Sequence, residues 1–215
     1  MDTRIVIFDF DGTLADTQSM IVKSKRETCR LLELPVASDA EYISTIGLAS
    51  KAGFAKVYPS LPDEVLDACV TTYRKISAEM IEKDPPVRFP GANQVLAWLK
   101  SKGIVCTIAT ARNSKSMHDF LRMFDWNRYF QYVLCAEDTP LLKPNPEPVL
   151  KTLAELSFSP EEALVVGDMP VDIEMGKRAG ARTCGVTYGN AGRAALEAAG
   201  ADYIIDSMEE LPGIL

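Results

Sequence analysis

Short apolar runs rich in β-branched residues, each too short for a buried helix, constrain this chain more than any other feature. They are Ile5-Val6-Ile7-Phe8, Val105-Cys106-Thr107-Ile108-Ala109, Tyr132-Val133-Leu134-Cys135, Ala163-Leu164-Val165-Val166 and Thr183-Cys184-Gly185-Val186, with Tyr203-Ile204-Ile205 a weaker addition. Helical patterns separate them: Val95, Leu96, Trp98 and Leu99 within 92–102, Met117, Phe120, Leu121 and Phe124 within 115–125, and Val149, Leu150, Leu153 and Leu156 within 147–156. Asn145 is placed to cap the last of these with Pro146 in its first turn, and a further helix over 171–179 stops at Gly180. Strands alternating with helices predict an α/β fold, a parallel sheet covered on both faces.

Residues 16–86 interrupt the alternation and show no convincing strand. Asp16 or Thr17 can cap a helix reaching about Leu34, before Pro35. Ser38-Asp39-Ala40-Glu41 reads as a capping box. Pro62 opens an amphipathic stripe of Val65, Leu66, Cys69, Val70, Tyr73, Ile76 and Met80, which Asp84-Pro85-Pro86 ends. The predicted organisation is a sheet domain of residues 1–15 and 87–215, with a helical unit, 16–86, inserted after the first strand. The chain crosses between the two units twice, which predicts a hinge.

The formal net charge of −7 argues against non-specific binding to nucleic acid or anionic membrane, while leaving room for a local basic pocket. No apolar run approaches a membrane span. The 5 cysteines are scattered without a C-x-x-C pair, a reducing-compartment pattern. Met1-Asp2-Thr3-Arg4 leads directly into an apolar run ending in acids, unlike a secretory leader, so a cytoplasmic location is expected.

In open α/β sheets ligands bind beyond the carboxyl ends of the strands. Those ends carry Asp9-Phe10-Asp11-Gly12-Thr13, Thr110-Ala111-Arg112-Asn113, Lys143-Pro144-Asn145-Pro146 and Gly167-Asp168, with Asp172 one helical turn later. Residues i and i+2 of extended chain point the same way, so Asp9 and Asp11 can face one site. Carboxylates gathered at one edge repel each other, and a hard divalent cation with oxygen ligands, Mg²⁺ best of all, would neutralise them. A cation, a lysine, a hydroxyl and backbone amides make a phosphate site. Its expected phosphate-binding residues are Asp11, Gly12, Thr110, Ala111 and Lys143. With a carboxylate nucleophile the chemistry becomes phosphoryl transfer to aspartate and then to water. Asp9 would attack phosphorus, Asp11 would serve as acid and then base, Lys143 would neutralise charge, and Thr110 would bind a phosphoryl oxygen.

These four segments, in this order, resemble the four motifs of the haloacid dehalogenase-like superfamily, and the resemblance spans nearly the whole chain. It implies a Rossmann-like core with strand order 5-4-1-2-3, a helical cap, and Mg²⁺ held by Asp9, Asp168 and the backbone carbonyl of Asp11, with Asp172 nearby. Asp16-Thr17, Ile46-Gly47-Leu48, Tyr73-Arg74-Lys75 and Phe89-Pro90-Gly91 resemble the phosphoglycolate phosphatase-like branch. That branch implies a small phosphate ester as substrate: phosphoglycolate-like, a sugar phosphate or pyrophosphate. The apolar helices of the insertion allow a dimer, so a monomer or homodimer is expected. Ala111-Arg112 after Thr110 departs from the family pattern, and Arg112 becomes a candidate substrate contact.

Taken singly, each residue has a plainer role. Asp9 or Asp11 could belong to a turn, Lys143 to the solvated surface, Asp168 to a helix cap and Asp172 to a helix dipole. Lys23, Arg26, Lys51, Arg74 and Lys75 read as a solvated face, with the alternative that one or two of them read the substrate's leaving group, and His118 reads as structural. Two other functions compete. A phosphosugar mutase of the same superfamily would carry a His shortly after Asp16-Thr17 and an Arg soon after Gly47, where this chain has Gln18-Ser19-Met20-Ile21 and Leu48-Ala49-Ser50. A non-enzymatic phospho-accepting signalling domain would carry its acceptor on the third strand and lack the helical insertion.

Overall fold

The structure, a computed structural model, describes residues 2–215. Strand β1 (Ile5–Phe8) lies at the centre of the sheet, and all of its side chains are fully buried. Val6 and Phe8 pack into one apolar cluster and Ile5 and Ile7 into another on the opposite face, so the run is apolar without alternation. Each such side chain contributes about 1.5–3 kcal/mol on burial, which anchors this strand in the middle of the domain.

Around it the chain forms β2 (Ala15–Asp16), α1 (Gln18–Leu31), α2 (Asp39–Ile43), α3 (Ser50–Val57), α4 (Asp63–Lys83), β3 (Val87–Arg88), α5 (Ala92–Ser101), β4 (Val105–Ala109), α6 (Ser114–Met123), β5 (Phe130–Leu134), α7 (Glu147–Leu156), β6 (Ala163–Gly167), α8 (Pro170–Arg178), β7 (Arg182–Val186), α9 (Arg193–Ala198) and β8 (Tyr203–Ile205). The main sheet runs β5-β4-β1-β6-β7-β8 and its ladders are parallel. Read from the other edge, this is the implied 5-4-1-2-3 order extended by one strand. The weak run at Tyr203 pairs with β7 and becomes that edge.

The helix signals map onto the structure with small shifts. Asn113 caps α6 by accepting from Ser116 N–H at 2.9 Å. Pro146 occupies the flanking position of α7, and Asn145 still accepts from Glu147 N–H at 3.0 Å. α8 is followed by Gly180 at φ +81°, the left-handed turn that favours glycine.

Within 16–86, the Ser38–Glu41 capping box forms as read. Helix α1 stops at Leu31, short of the expected Leu34. Helices α1 to α4 enclose a cluster of Val22, Cys29, Tyr42, Phe54, Leu66 and Cys69. Two corrections arise at the crossings. Thr17 sits at the α1 N-cap without capping it, because its hydroxyl donates to Asp11 Oδ1 at 2.6 Å. The two crossings also pair with each other as an antiparallel ribbon, Ala15 opposite Arg88 and Asp16 opposite Val87, which the sequence reading did not include. The cysteines are all free and buried. No helix among the described residues is long and apolar enough to cross a membrane.

Candidate active site

Parallel register explains why the chemistry gathers at one edge. Phe8 lies opposite Ile108 and Val166, so the residues that follow each strand emerge side by side. Asp9 and Asp11 follow β1, Thr110 to Arg112 follow β4, and Asp168 follows β6. Asp172 lies in the first turn of α8. Lys143 arrives from the connection between β5 and α7.

Asp9 is buried, and its backbone N–H donates to Val166 O at 2.8 Å, which locks it to the strand tip. Its Oδ1 accepts from Lys143 Nζ, while Oδ2 has no partner. Lys143 also lies 2.8 Å from Asp172 Oδ1, at an angle unsuited to a hydrogen bond. Burial works against the ammonium form of Lys143, but Asp172 and Asp9 outweigh it and hold the lysine above its ordinary range. Burial pushes the Asp9 carboxyl well above the usual carboxylate range, with Lys143 opposing and Asp172, Asp168 and Asp11 adding to the rise.

Asp168 is fully buried. Its Oδ2 accepts from both the backbone N–H and the side-chain amide of Asn190 at 2.7 Å, and its Oδ1 accepts from Thr13 Oγ1 at 3.2 Å. Burial first, then Asp172, still pushes its carboxyl up to about 7. Asp172 Oδ2 accepts from Met169 N–H at 3.1 Å and so caps α8, which leaves its other oxygen toward Lys143. Two glycines make this convergence possible. A Cβ on Gly12, whose φ is +89°, would lie 2.3 Å from Asp168 Oδ2, and one on Gly189 would lie 2.4 Å from the carbonyl oxygen of Gly12.

Asp11 is held from two sides. Thr17 donates to Oδ1, and Arg112 forks onto both oxygens, with Nε 3.1 Å from Oδ2 and Nη2 bonded to Oδ1. The guanidinium is itself buried and lies 4.8 Å above the Phe120 ring. Arg112, which the sequence left open as a candidate substrate contact, is bonded to Asp11. The Thr110 hydroxyl accepts from Arg112 N–H at 3.1 Å, so its own proton remains available to donate. The Gly12 N–H does not serve as a phosphate donor as expected, because it donates to Ala15 O at 2.9 Å within the turn; Gly12 contributes space instead.

A cavity of about 570 Å³ opens above this edge, within the usual range for small-molecule sites. Asp9, Asp11, Thr110, Ala111 and Arg112 form its floor. Ile21, Lys25, Thr45, Ile46, Tyr73 and Ser77 wall it from the helical insertion. The sequence reading missed Lys25 and Asn190, and the bond from Thr13, a residue of the first motif, to Asp168. Lys25 lies in an unremarkable charged stretch, and Asn190 belongs to no motif.

Asp9, Asp168 and Asp172 each offer an oxygen, all within 4.8 Å of one another. The all-oxygen donor set and the single lysine among three buried acids fit a hard divalent cation. A stability test follows. Carboxyls raised in the folded state bind protons more tightly than in the unfolded chain, so their stabilising contribution is present below about pH 4 and is lost as pH rises through about 7, the Asp168 value. The melting temperature of EDTA-treated protein should fall by roughly 5–10 °C between pH 5 and pH 8 from this source. Mg²⁺ should restore it at pH 8 and change little at pH 5. A melting temperature insensitive to Mg²⁺ at pH 8 would contradict the metal assignment.

The family model of haloacid dehalogenase-like hydrolases matches residues 6–186. PpaX of Clostridium perfringens is 33% identical over 208 residues, covering 97% of this chain and 95% of the relative. The pyrophosphatase PpaX of Bacillus cereus is 31% identical over 219 residues, covering 100% and 97%. The crystal structure of a Bacteroides fragilis protein assigned as a haloacid dehalogenase-like hydrolase superimposes with a TM-score of 0.91 at 28% identity, over 98% of this chain and 100% of that one. With its motifs assembled at one sheet edge and most of its length matched, this chain belongs to the haloacid dehalogenase-like hydrolase family.

Proposed function

We propose that this protein is a Mg²⁺-dependent phosphatase that hydrolyses a small phosphorylated metabolite through a phosphoaspartate at Asp9. One observation carries this reading: Asp9 sits at the strand tip on the cavity floor, one oxygen fixed by Lys143 and the other uncommitted. That arrangement presents an oriented carboxylate nucleophile.

In this scheme the free oxygen of Asp9 attacks phosphorus in line with the leaving oxygen. Thr110 donates its hydroxyl proton to a phosphoryl oxygen. Lys143 offsets the charge that accumulates on the phosphoryl group and holds Asp9 in place. Asp11 gives a proton to the leaving oxygen, then takes one from the water that cleaves the phosphoaspartate. Arg112 and Thr17 position Asp11 for both steps. Asp9, Asp168 and the Asp11 carbonyl would hold Mg²⁺, with Asp172 nearby, and the ion supplies charge neutralisation for the transferred group. Residues 16–86 act as the cap over the cavity. The pyrophosphatase names among the relatives add pyrophosphate to the phosphoglycolate-like and sugar phosphates as candidate substrates.

The test is phosphate release from a panel of phosphoglycolate, pyrophosphate, hexose phosphates and nucleotides. At least one compound should be turned over with kcat/KM of about 10⁴ M⁻¹s⁻¹ or more, and EDTA should abolish turnover. Absence of Mg²⁺-dependent release from every compound would overturn the reading.

A further inference from the structure

Lys25 is buried, yet it faces the cavity from α1. Arg112 and Lys143, the other buried cations among the described residues, have carboxylate partners, whereas Lys25 has none. Its ammonium donates to Thr45 Oγ1, which passes its own proton to Tyr42 O at 2.6 Å. An ammonium has three donors, so two remain uncommitted. Ser77 lines the same cavity from α4, and its buried hydroxyl has no hydrogen-bond partner. A buried cation without a counter-charge is costly, and burial accordingly pushes the Lys25 ammonium down to about 8, while Asp11 opposes the shift. Asp11 offsets that charge only in part, because it is shared with Arg112, which forks onto both of its oxygens, and with Thr17.

We infer that Lys25 and Ser77 form an anion subsite for an acidic group on the leaving part of the substrate, a carboxylate or a second phosphate. This rests on the phosphatase reading, in which the transferred phosphoryl group occupies the floor at Asp9, Thr110 and Lys143. Lys25 approaches the same cavity from the inserted helices, so it meets what lies beyond that group. A neutral hydroxyl there would leave the ammonium charge uncompensated; an oxyanion satisfies the free N–H donors and the Ser77 hydroxyl together.

The test compares phosphoglycolate and pyrophosphate with 2-hydroxyethyl phosphate, a neutral counterpart of phosphoglycolate. The intact protein is assayed with Mg²⁺, and binding of the same compounds to Asp9→Asn is measured by calorimetry. The wild type should favour an acidic compound over the neutral ester by about tenfold or more in kcat/KM and in affinity. Lys25→Met should lower that ratio by roughly 10- to 100-fold, mainly through KM, and Lys25→Arg should recover part of it. Ser77→Ala, a smaller change, should lower it by about threefold to tenfold. Whichever acidic compound loses more identifies carboxylate or phosphate as the natural partner. An unchanged ratio in folded Lys25→Met, or an equal loss on acidic and neutral esters, would overturn the inference. If no compound is hydrolysed, the phosphatase reading fails, and the calorimetric ratios in Asp9→Asn with and without Lys25→Met still decide the subsite.

Discussion

Asp9→Asn should fold normally and lose phosphate release by on the order of 10⁴-fold or more, because the amide cannot form the acyl phosphate. The same substitution should stabilise the metal-free protein. Asp9 is buried beside Asp172 and Asp168, and burial and their charges hold its carboxyl well above the usual range. Removing its charge at pH 8 relieves that repulsion, so the melting temperature should rise while activity vanishes. Calorimetric melts and a phosphate assay on one preparation check both halves. Residual activity above about 1% of wild type would place the nucleophile elsewhere.

Lys143→Met should have the opposite effect on stability. The ammonium is the shared partner of Asp9 and Asp172, and all three side chains are essentially excluded from solvent. Breaking such a cluster from the cationic side leaves buried carboxylates uncompensated, a loss of about 3–5 kcal/mol. At this chain length that corresponds to a fall of roughly 10 °C or more in melting temperature at pH 8. The loss should shrink at pH 5, where the raised carboxyls of Asp9 and Asp168 take up protons. Turnover should fall as well, since Asp9 loses its anchor. Equal destabilisation at both pH values would show that Lys143 acts through packing alone.

The two variants probe what was most readable in the chain. Asp9, Asp11, Thr110 and Asp168 could be found because they follow strand runs closely and parallel strands deliver their ends to one edge, whereas Lys143, in the β5–α7 connection, and Asp172, in α8, stood out through the order of the motifs. The strand order was not readable from periodicity, since alternation of strands and helices does not say which strands are neighbours; it came from the resemblance. The β2–β3 ribbon was invisible for a simpler reason: strands of 2 residues carry no periodic signal.

Lys25 shows a different limit. Between Lys23 and Arg26 it belongs to a charged stretch, and its helix alone does not mark it as buried. Gly53 and Thr45, distant in sequence, approach its ammonium. Arg112 likewise could be named as a candidate, but its grip on Asp11 depends on the Phe120 ring that supports it. Gly12 was identified for the right turn and the wrong task, because the turn uses up the amide that was expected to meet phosphate.

The ribbon at the crossings also fixes the mechanics of the insertion. Phe89 N–H donates to Leu14 O, and Asp11 bridges to Ala15, so the lacing continues back to the proposed acid and base. The helical unit therefore hangs from one stiff strap rather than two independent strings. Any swing of that unit would turn on a single fulcrum beside Asp11, which Thr17 ties to the outgoing strand side, so in the proposed mechanism tilting the lever and aiming the proton donor would be one movement.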